Sequence, residues 1–64
     1  MAQHLYEFTA VDVRNGGRTT LNRSVELNKN DIQQKFIFLQ DVILNAQRQG
    51  YINLQLVSEQ IEDR

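Results

Sequence analysis

Apolar and polar residues alternate along two stretches near the N-terminus, as they do in strands. Residues 5–14 are rich in β-branched and aromatic side chains, and residues 18–27 alternate with a period of two. Asn15-Gly16 lies between them, and Asn-Gly is the strongest short signal for a hairpin turn because both residues tolerate positive φ. The pattern predicts a β-hairpin over residues 5–27.

The turn leaves two registers open for this hairpin. A two-residue Asn15-Gly16 turn pairs Ala10 with Leu21, whereas a three-residue loop pairs Val11 with Leu21. We prefer the two-residue turn, because the longer loop turns two polar side chains of the first strand into the core. The inner face is then predicted to carry Tyr6, Phe8, Ala10, Leu21, Val25 and Leu27, with Arg23 as the one polar misfit.

A longer segment that follows the hairpin has the 3.6-residue spacing of an amphipathic helix, which we predict over residues 29–49. Asn28 is its expected N-cap, because the flanking apolar residues then take the hydrophobic-staple positions, and Asn30 is the alternative cap. Gly50 is expected to end the helix. The predicted core stripe is Ile32, Phe36, Leu39, Val42, Ile43 and Ala46.

A third alternating segment, residues 51–58, predicts a strand, and the charged tail 59–64 is expected to fray at the C-terminus, although Ile61 could extend the strand. The fold class is therefore α+β, with the order β-β-α-β. A right-handed crossover through the helix places the third strand beside the first and parallel to the second. We expect a three-stranded antiparallel or mixed sheet of order 2-1-3, with one long helix packed on one face.

Composition limits the classes of protein to which the chain can belong. With 64 residues it holds one domain, and its net charge of −1 argues against bulk electrostatic attraction to nucleic acid or to a membrane. There is no Cys, no secretory signal and no apolar run of membrane-spanning length, and these features favour a cytoplasmic location. Gln and Asn supply 14 residues, which provide an uncharged polar surface or, on a sharper interpretation, a hydrogen-bonding contact surface.

The sequence shows no arrangement of residues typical of catalysis. His4, the one histidine, is expected on the surface, and the carboxylates are scattered without acid/base or metal-ligand spacing. Asn15-Gly16-Gly17 is not followed by a helix and is therefore interpreted as a turn and not as a phosphate loop. We expect no enzyme activity, no cofactor, no metal site and no small-molecule substrate.

Apolar residues outside the predicted core point instead to binding. A single helix covers one face of a three-stranded sheet, and contiguous apolar patches that remain exposed mark interfaces. We expect a homodimer, or a complex with another protein, through the outer helix face or the open sheet face. The residues expected to carry this contact are Ile37, Phe38, Leu44, Val11, Val13 and Tyr51.

Two functional hypotheses follow from these surfaces. By analogy of size alone, the chain is similar to small accessory or inhibitor proteins of bacteria and phages, which often occlude or modulate a larger protein. The alternative is a nucleic-acid-binding ribbon, since a hairpin can enter a major groove and Arg14, Arg18 and Arg23 all lie on it.

Overall fold

Three strands and one helix follow one another in the order β-β-α-β in the computed structural model, which describes residues 2–28 and 30–63. The elements are β1 (Ala2–Asp12), β2 (Arg18–Leu27), α1 (Ile32–Arg48) and β3 (Tyr51–Asp63). The sheet order is β2-β1-β3, and β1 is antiparallel to both of its neighbours, so that β2 and β3 run parallel. The predicted α+β class and the strand order 2-1-3 are confirmed.

The hairpin adopts neither of the two predicted registers. Ala10 lies opposite Thr19, and the Asp12 N–H donates to the Gly17 carbonyl at 2.9 Å, so four residues form the loop. The side chain of Asn15 helps to close this longer loop by accepting from the Gly17 N–H at 2.7 Å. The observed register differs by two residues from the preferred one, which leaves every side chain on the same face. The predicted inner face is therefore correct even though the pairing was wrong.

Two strands are longer than predicted, β1 at its N-terminal end and β3 at its C-terminal end. β1 begins at Ala2 instead of residue 5, and β3 continues through Asp63, so most of the predicted charged tail is strand. The extension continues the pairing with β1, in which Glu59 lies opposite Tyr6 and Ile61 lies opposite His4. Arg64, the last residue of the predicted tail, lies outside the described residues.

Two irregularities in the β1–β3 pairing change which side chains of β3 face the helix. The register shifts twice between Glu7 and Val11, and Asn53 takes a left-handed φ of 58°. As a result Tyr51 pairs with Asp12 on the helix-bearing face, while Ile52 pairs with Val11 on the open face. Tyr51 was expected to be available for contact on the open face, and this expectation was wrong because strict alternation does not include bulges.

The helix starts later than predicted because Asp31, and neither Asn28 nor Asn30, is its N-cap. The Asp31 carboxylate accepts the Gln34 N–H at 3.0 Å, and the helix begins at Ile32. Lys29, the predicted first helical residue, lies outside the described residues. Gly50, with φ 94°, follows the C-terminal end as expected. No helix within residues 2–28 and 30–63 combines the length and the apolar character needed to cross a membrane.

The helix faces the sheet with only part of the predicted stripe, because it is rotated so that Phe38 packs beside Leu39, Val42 and Ala46. Val42 and Ala46 are buried as expected, and the ring of Phe38 packs against Tyr6 with the ring centroids 5.8 Å apart. Phe36, predicted to be in the core, is instead 60% exposed. Two further members of the predicted stripe are also exposed, namely Ile32 and Ile43. The buried apolar residues are Ala2, Tyr6, Phe8, Ala10, Leu21, Leu27, Val42 and Ala46.

Candidate interaction surfaces

The side of the helix that points away from the sheet carries more large apolar side chains than the side that is buried. Its exposed members range from 37% to 67% exposure, and we call this set the helix outer surface. It contains Ile32, Phe36, Ile37, Ile43 and Leu44. Two rows of apolar residues run along this surface, each with a seven-residue spacing: Phe36 with Ile43, and Ile37 with Leu44. The exposed glutamines Gln33 and Gln40 have the same spacing and lie between the two rows. This repeat is typical of a helix that packs against a second apolar element.

Of the six residues predicted to form a contact surface, the structure leaves three clearly exposed. Ile37 and Leu44 lie on the helix outer surface, and Val13 lies in the hairpin loop. Phe38 and Tyr51 are half-buried and pack against the core, so their expected exposure was wrong. Val11 is half-buried on the open face beside Ile52. The structure therefore does not bring all six together, and it adds Ile32, Phe36 and Ile43.

The part of the sheet that the helix does not cover has a mainly polar open face and, along β3, exposed apolar side chains on the helix-bearing face. On the open face a shallow depression of about 310 Å³ crosses all three strands. Its outward-pointing lining is mainly polar: Leu5, Glu7, Asn22, Ser24, Ser58 and Gln60. On β3 the helix leaves Leu56 and Ile61 about half exposed, although they lie opposite the buried Phe8 and His4. The apolar surface of the molecule is thus concentrated on the helix and on β3.

The three arginines of the predicted nucleic-acid surface do not converge. Arg14 makes two hydrogen bonds through its guanidinium to Asp12, at 2.9 and 3.0 Å, and lies 5.5 Å from the centre of the Tyr51 ring. These hydrogen bonds hold the pKa of the Asp12 carboxyl below its ordinary value. Arg18 lies opposite Val11 on the open face, whereas Arg23 lies opposite Tyr6 on the helix-bearing face.

A chain of polar side chains inside the molecule was missed by sequence reasoning. His4 is 2% exposed, and its Nδ1 lies 3.2 Å from the Tyr6 hydroxyl. The Tyr6 hydroxyl hydrogen-bonds to Glu59, whose carboxylate lies 2.6 Å from the Lys35 ammonium. Because a tyrosine hydroxyl that donates to a carboxylate can accept from an imidazole N–H, His4 fits as the donor at Nδ1. Its Nε2 is buried and has no hydrogen-bond partner among the described residues.

The row of polar side chains formed by His4, Tyr6, Glu59 and Lys35 links the helix to the sheet. It is placed to stabilise the fold and not to meet a substrate. Lys35 comes from the helix, Tyr6 and His4 from β1, and Glu59 from β3. The lone clue in the sequence is that Ala2, His4, Tyr6, Phe8 and Ala10 occupy every second position. A histidine and a tyrosine that are both 2% exposed have no access to a bound molecule in this conformation.

We expect the Lys35–Glu59 contact to make the protein less stable in acid. Bonding to Lys35 holds the pKa of Glu59 below its ordinary value, so its contribution is present above about pH 4.5 and is lost as the pH falls through the folded-state pKa. Between about pH 7 and pH 3, the wild type should lose roughly 1 kcal/mol more unfolding free energy than Glu59→Gln. Urea unfolding at each pH measures this difference. Glu62→Gln, on the other face of β3, is the matched control and should follow the wild type.

Known proteins offer no guide to the role of these surfaces. Within the described residues there is no group of three His, Asp or Glu side chains that could hold a metal ion. Comparison of the chain with protein-family models, with curated proteins and with solved structures found no match.

Proposed function

We propose that this chain is a non-catalytic protein-interaction module that binds a larger protein through the helix outer surface. It acts by covering part of that partner, in the manner of a bacterial or phage accessory protein, and it works as a homodimer. The observation that carries the proposal is the exposure of five large apolar side chains on one 17-residue helix. Exposing such a surface to water is unfavourable, and burying it against a second apolar surface lowers the free energy.

The chemistry of this surface indicates the kind of partner it fits. Two apolar rows flank exposed glutamines, so the complementary surface is apolar with hydrogen-bonding groups at its centre and without a strong charge. The seven-residue spacing within each row matches an amphipathic helix of the partner. Phe36, as a large aromatic side chain, is the expected anchor of the contact.

The interior supports a binding role over catalysis. The residues best suited to acid/base chemistry, His4 and Tyr6, are buried in contact with each other. The depression on the open face is lined mainly by Ser, Asn and Gln side chains, and His4, the residue type that most often activates a serine nucleophile, is buried on the opposite face of the sheet.

The proposal is tested by substitution on the helix outer surface. Tagged wild type, Phe36→Asp and Leu44→Asp are expressed in the native cell, and co-purifying proteins are quantified by mass spectrometry. Both variants place a charge on an exposed position, so we expect folded proteins with unchanged circular dichroism that lose the specific partner at least about tenfold.

Gln34→Asp supplies the matched control, because it adds the same charge to an exposed helix position outside the helix outer surface. It should retain the partner at the wild-type level. An identical set of captured proteins for all four chains, or loss with Gln34→Asp alone, would contradict the proposal.

A further inference from the structure

β2 is an edge strand whose unpaired side is regular along its whole length. It pairs with β1 without interruption from Leu27 to Arg18, and no other strand formed by residues 2–28 and 30–63 lies on its other side. The bond from the Asp12 N–H to the Gly17 carbonyl fixes which residues face β1. Because antiparallel pairs alternate, the odd-numbered residues of β2 bond to β1, and the even-numbered ones direct N–H and C=O outward.

One contact supports this assignment of the outward groups. The carbonyl of Asn22, at the middle of β2, accepts a hydrogen bond from the Arg23 guanidinium at 2.8 Å. That carbonyl is therefore directed away from β1 and toward the edge, and its second lone pair can accept a further hydrogen bond. The outward-directed residues are Arg18, Thr20, Asn22, Ser24 and Glu26.

The other edge of the sheet is poorly suited to pairing. The β1–β3 register shifts twice, and the irregularities bend and twist the strand. The regular part of β3, residues 58–63, carries three carboxylates: Glu59, Glu62 and Asp63. An antiparallel copy of this segment centred on Ile61 would place Glu59 opposite Asp63. Bulges and like charges are devices that protect an edge strand, and β2 has no bulge against β1.

We propose that two copies of the chain join edge to edge through β2, antiparallel, about a two-fold axis at Asn22. This inference rests on the proposed function as a homodimeric binding module and specifies how the two copies meet. The result is one six-stranded sheet of order β3-β1-β2-β2-β1-β3. A two-fold contact of this kind closes on itself and ends the assembly at two copies.

The sequence of β2 is complementary to itself in this register. Directly opposed residues have numbers that add to 44, so Arg18 lies opposite Glu26 of the second copy, and this pair occurs twice. Between them Thr20 lies opposite Ser24, and Asn22 meets its own equivalent on the axis. Each of these three opposed pairs is made of outward-directed residues, as the backbone bonds require. Opposite charges and hydroxyl pairs are the favourable cross-strand neighbours.

The neighbouring registers are less favourable. An axis at Arg23 makes the two Arg23 side chains directly opposed, and like charges in that position are destabilising. An axis at Leu21 places Arg18 opposite Ser24 and leaves Glu26 beyond the paired segment. Of these three registers, only the axis at Asn22 places both charged outward-directed residues of β2, Arg18 and Glu26, opposite a residue of opposite charge.

This arrangement has a consequence for partner binding. A two-fold axis perpendicular to the sheet keeps both helices on the same side, so the dimer presents two helix outer surfaces in one direction. Two linked sites bind a two-fold symmetric or repetitive partner far more tightly than one site does.

A charge exchange between Arg18 and Glu26 tests the proposed register. Arg18→Glu alone and Glu26→Arg alone each create two like-charge pairs per dimer, and each should raise the dimer dissociation constant roughly tenfold to a hundredfold in sedimentation equilibrium. An equimolar mixture of the two variants recovers both opposite-charge pairs in the heterodimer. The mixture, and the double variant Arg18→Glu/Glu26→Arg, should associate within about threefold of the wild type.

Amide hydrogen exchange of the wild type gives an independent readout that no variant can compromise. The outward N–H groups of Thr20, Asn22 and Ser24 should gain protection as the concentration rises from about 10 μM to about 1 mM, while the outward N–H groups of Glu59 and Ile61 on β3 stay unprotected. A wild type that stays monomeric over this range overturns the proposal. A dimer with unprotected β2 amides, or one insensitive to the charge exchange, overturns the β2 register but leaves partner binding through the helix outer surface intact.

Discussion

Replacing Phe8 with alanine should leave most of the chain unfolded, whereas the same truncation at Phe36 should hardly change its stability. Phe8 is 3% exposed and lies between Leu21 and Leu56 at the centre of the core. Truncating a buried phenylalanine costs about 3–5 kcal/mol, because the transfer free energy of the ring is lost and a cavity remains. A chain of this size has a total stability of about 3–5 kcal/mol, so the cost is as large as the stability itself.

Phe36 is the matched control for this experiment, since it is the same residue type on the exposed side of the helix. Its removal should change the free energy of unfolding by no more than about 0.5 kcal/mol, and the higher helix propensity of alanine favours the variant slightly. Urea unfolding followed by circular dichroism measures both variants. Equal destabilisation at the two positions would mean that Phe36 is buried against the sheet, as the predicted core stripe requires.

The helix shows why periodicity alone identified only part of its buried side, namely Leu39, Val42 and Ala46. Ile32, Phe36 and Ile43 have helical spacing, but so do Phe38, Leu39, Val42 and Ala46. A helix with apolar residues on several sides satisfies more than one stripe, and the choice is made by the surface it meets. Here the contact between the Phe38 and Tyr6 rings, at 5.8 Å, accompanies the observed choice. The buried side of the helix therefore cannot be predicted from the helix sequence alone, because it depends on the register of the sheet.

The sheet separates what alternation determines from what the turn determines. Which residues of β1 and β2 share a face follows from period two, and this part of the prediction is correct. The pairing itself depends on the loop, where the Asn15 side chain and the Asp12 carbonyl close a four-residue turn in place of the two-residue turn that Asn-Gly favours. On β3 the left-handed φ at Asn53 breaks the alternation, and no pattern in the sequence marks it.

The candidate surface could be predicted only in part for the same reason. Ile37 and Leu44 are on the outer side whichever stripe is buried, so their exposure was predictable. Phe36 and Phe38 lie on either side of the buried stripe, so a rotation of the helix about its axis would bury one ring and expose the other. Only the packed structure decides between them. His4 was misjudged because a polar residue near a terminus is normally exposed, whereas here it is 2% exposed and β3 extends far enough to place Ile61 opposite it.

Tyr6 should make the protein lose stability in alkali over a defined range of pH. Burial, together with the negative charge of Glu59 and the hydrogen bond to it, raises the pKa of Tyr6 from 10.0 to about 12. Below about pH 10 the hydroxyl is protonated in both the folded and the unfolded chain, so it adds no pH dependence. Between about pH 10 and pH 12 the unfolded chain loses this proton and the folded chain retains it, which favours unfolding.

A shift of this size corresponds to roughly 2–3 kcal/mol, a large part of the stability of so small a domain. Tyr6→Phe removes the titrating proton, so from about pH 9 to about pH 12 the wild type should lose roughly 2 kcal/mol more unfolding free energy than the variant. At about pH 7 the wild type should be the more stable of the two proteins, because Tyr6→Phe leaves the buried Nδ1 of His4 without its partner at a cost of about 1–2 kcal/mol. The two stability curves should therefore converge as the pH rises. Parallel curves in urea unfolding would show that the Tyr6 hydroxyl is open to solvent, and with it the end of β3 that covers the His4–Tyr6–Glu59 contact.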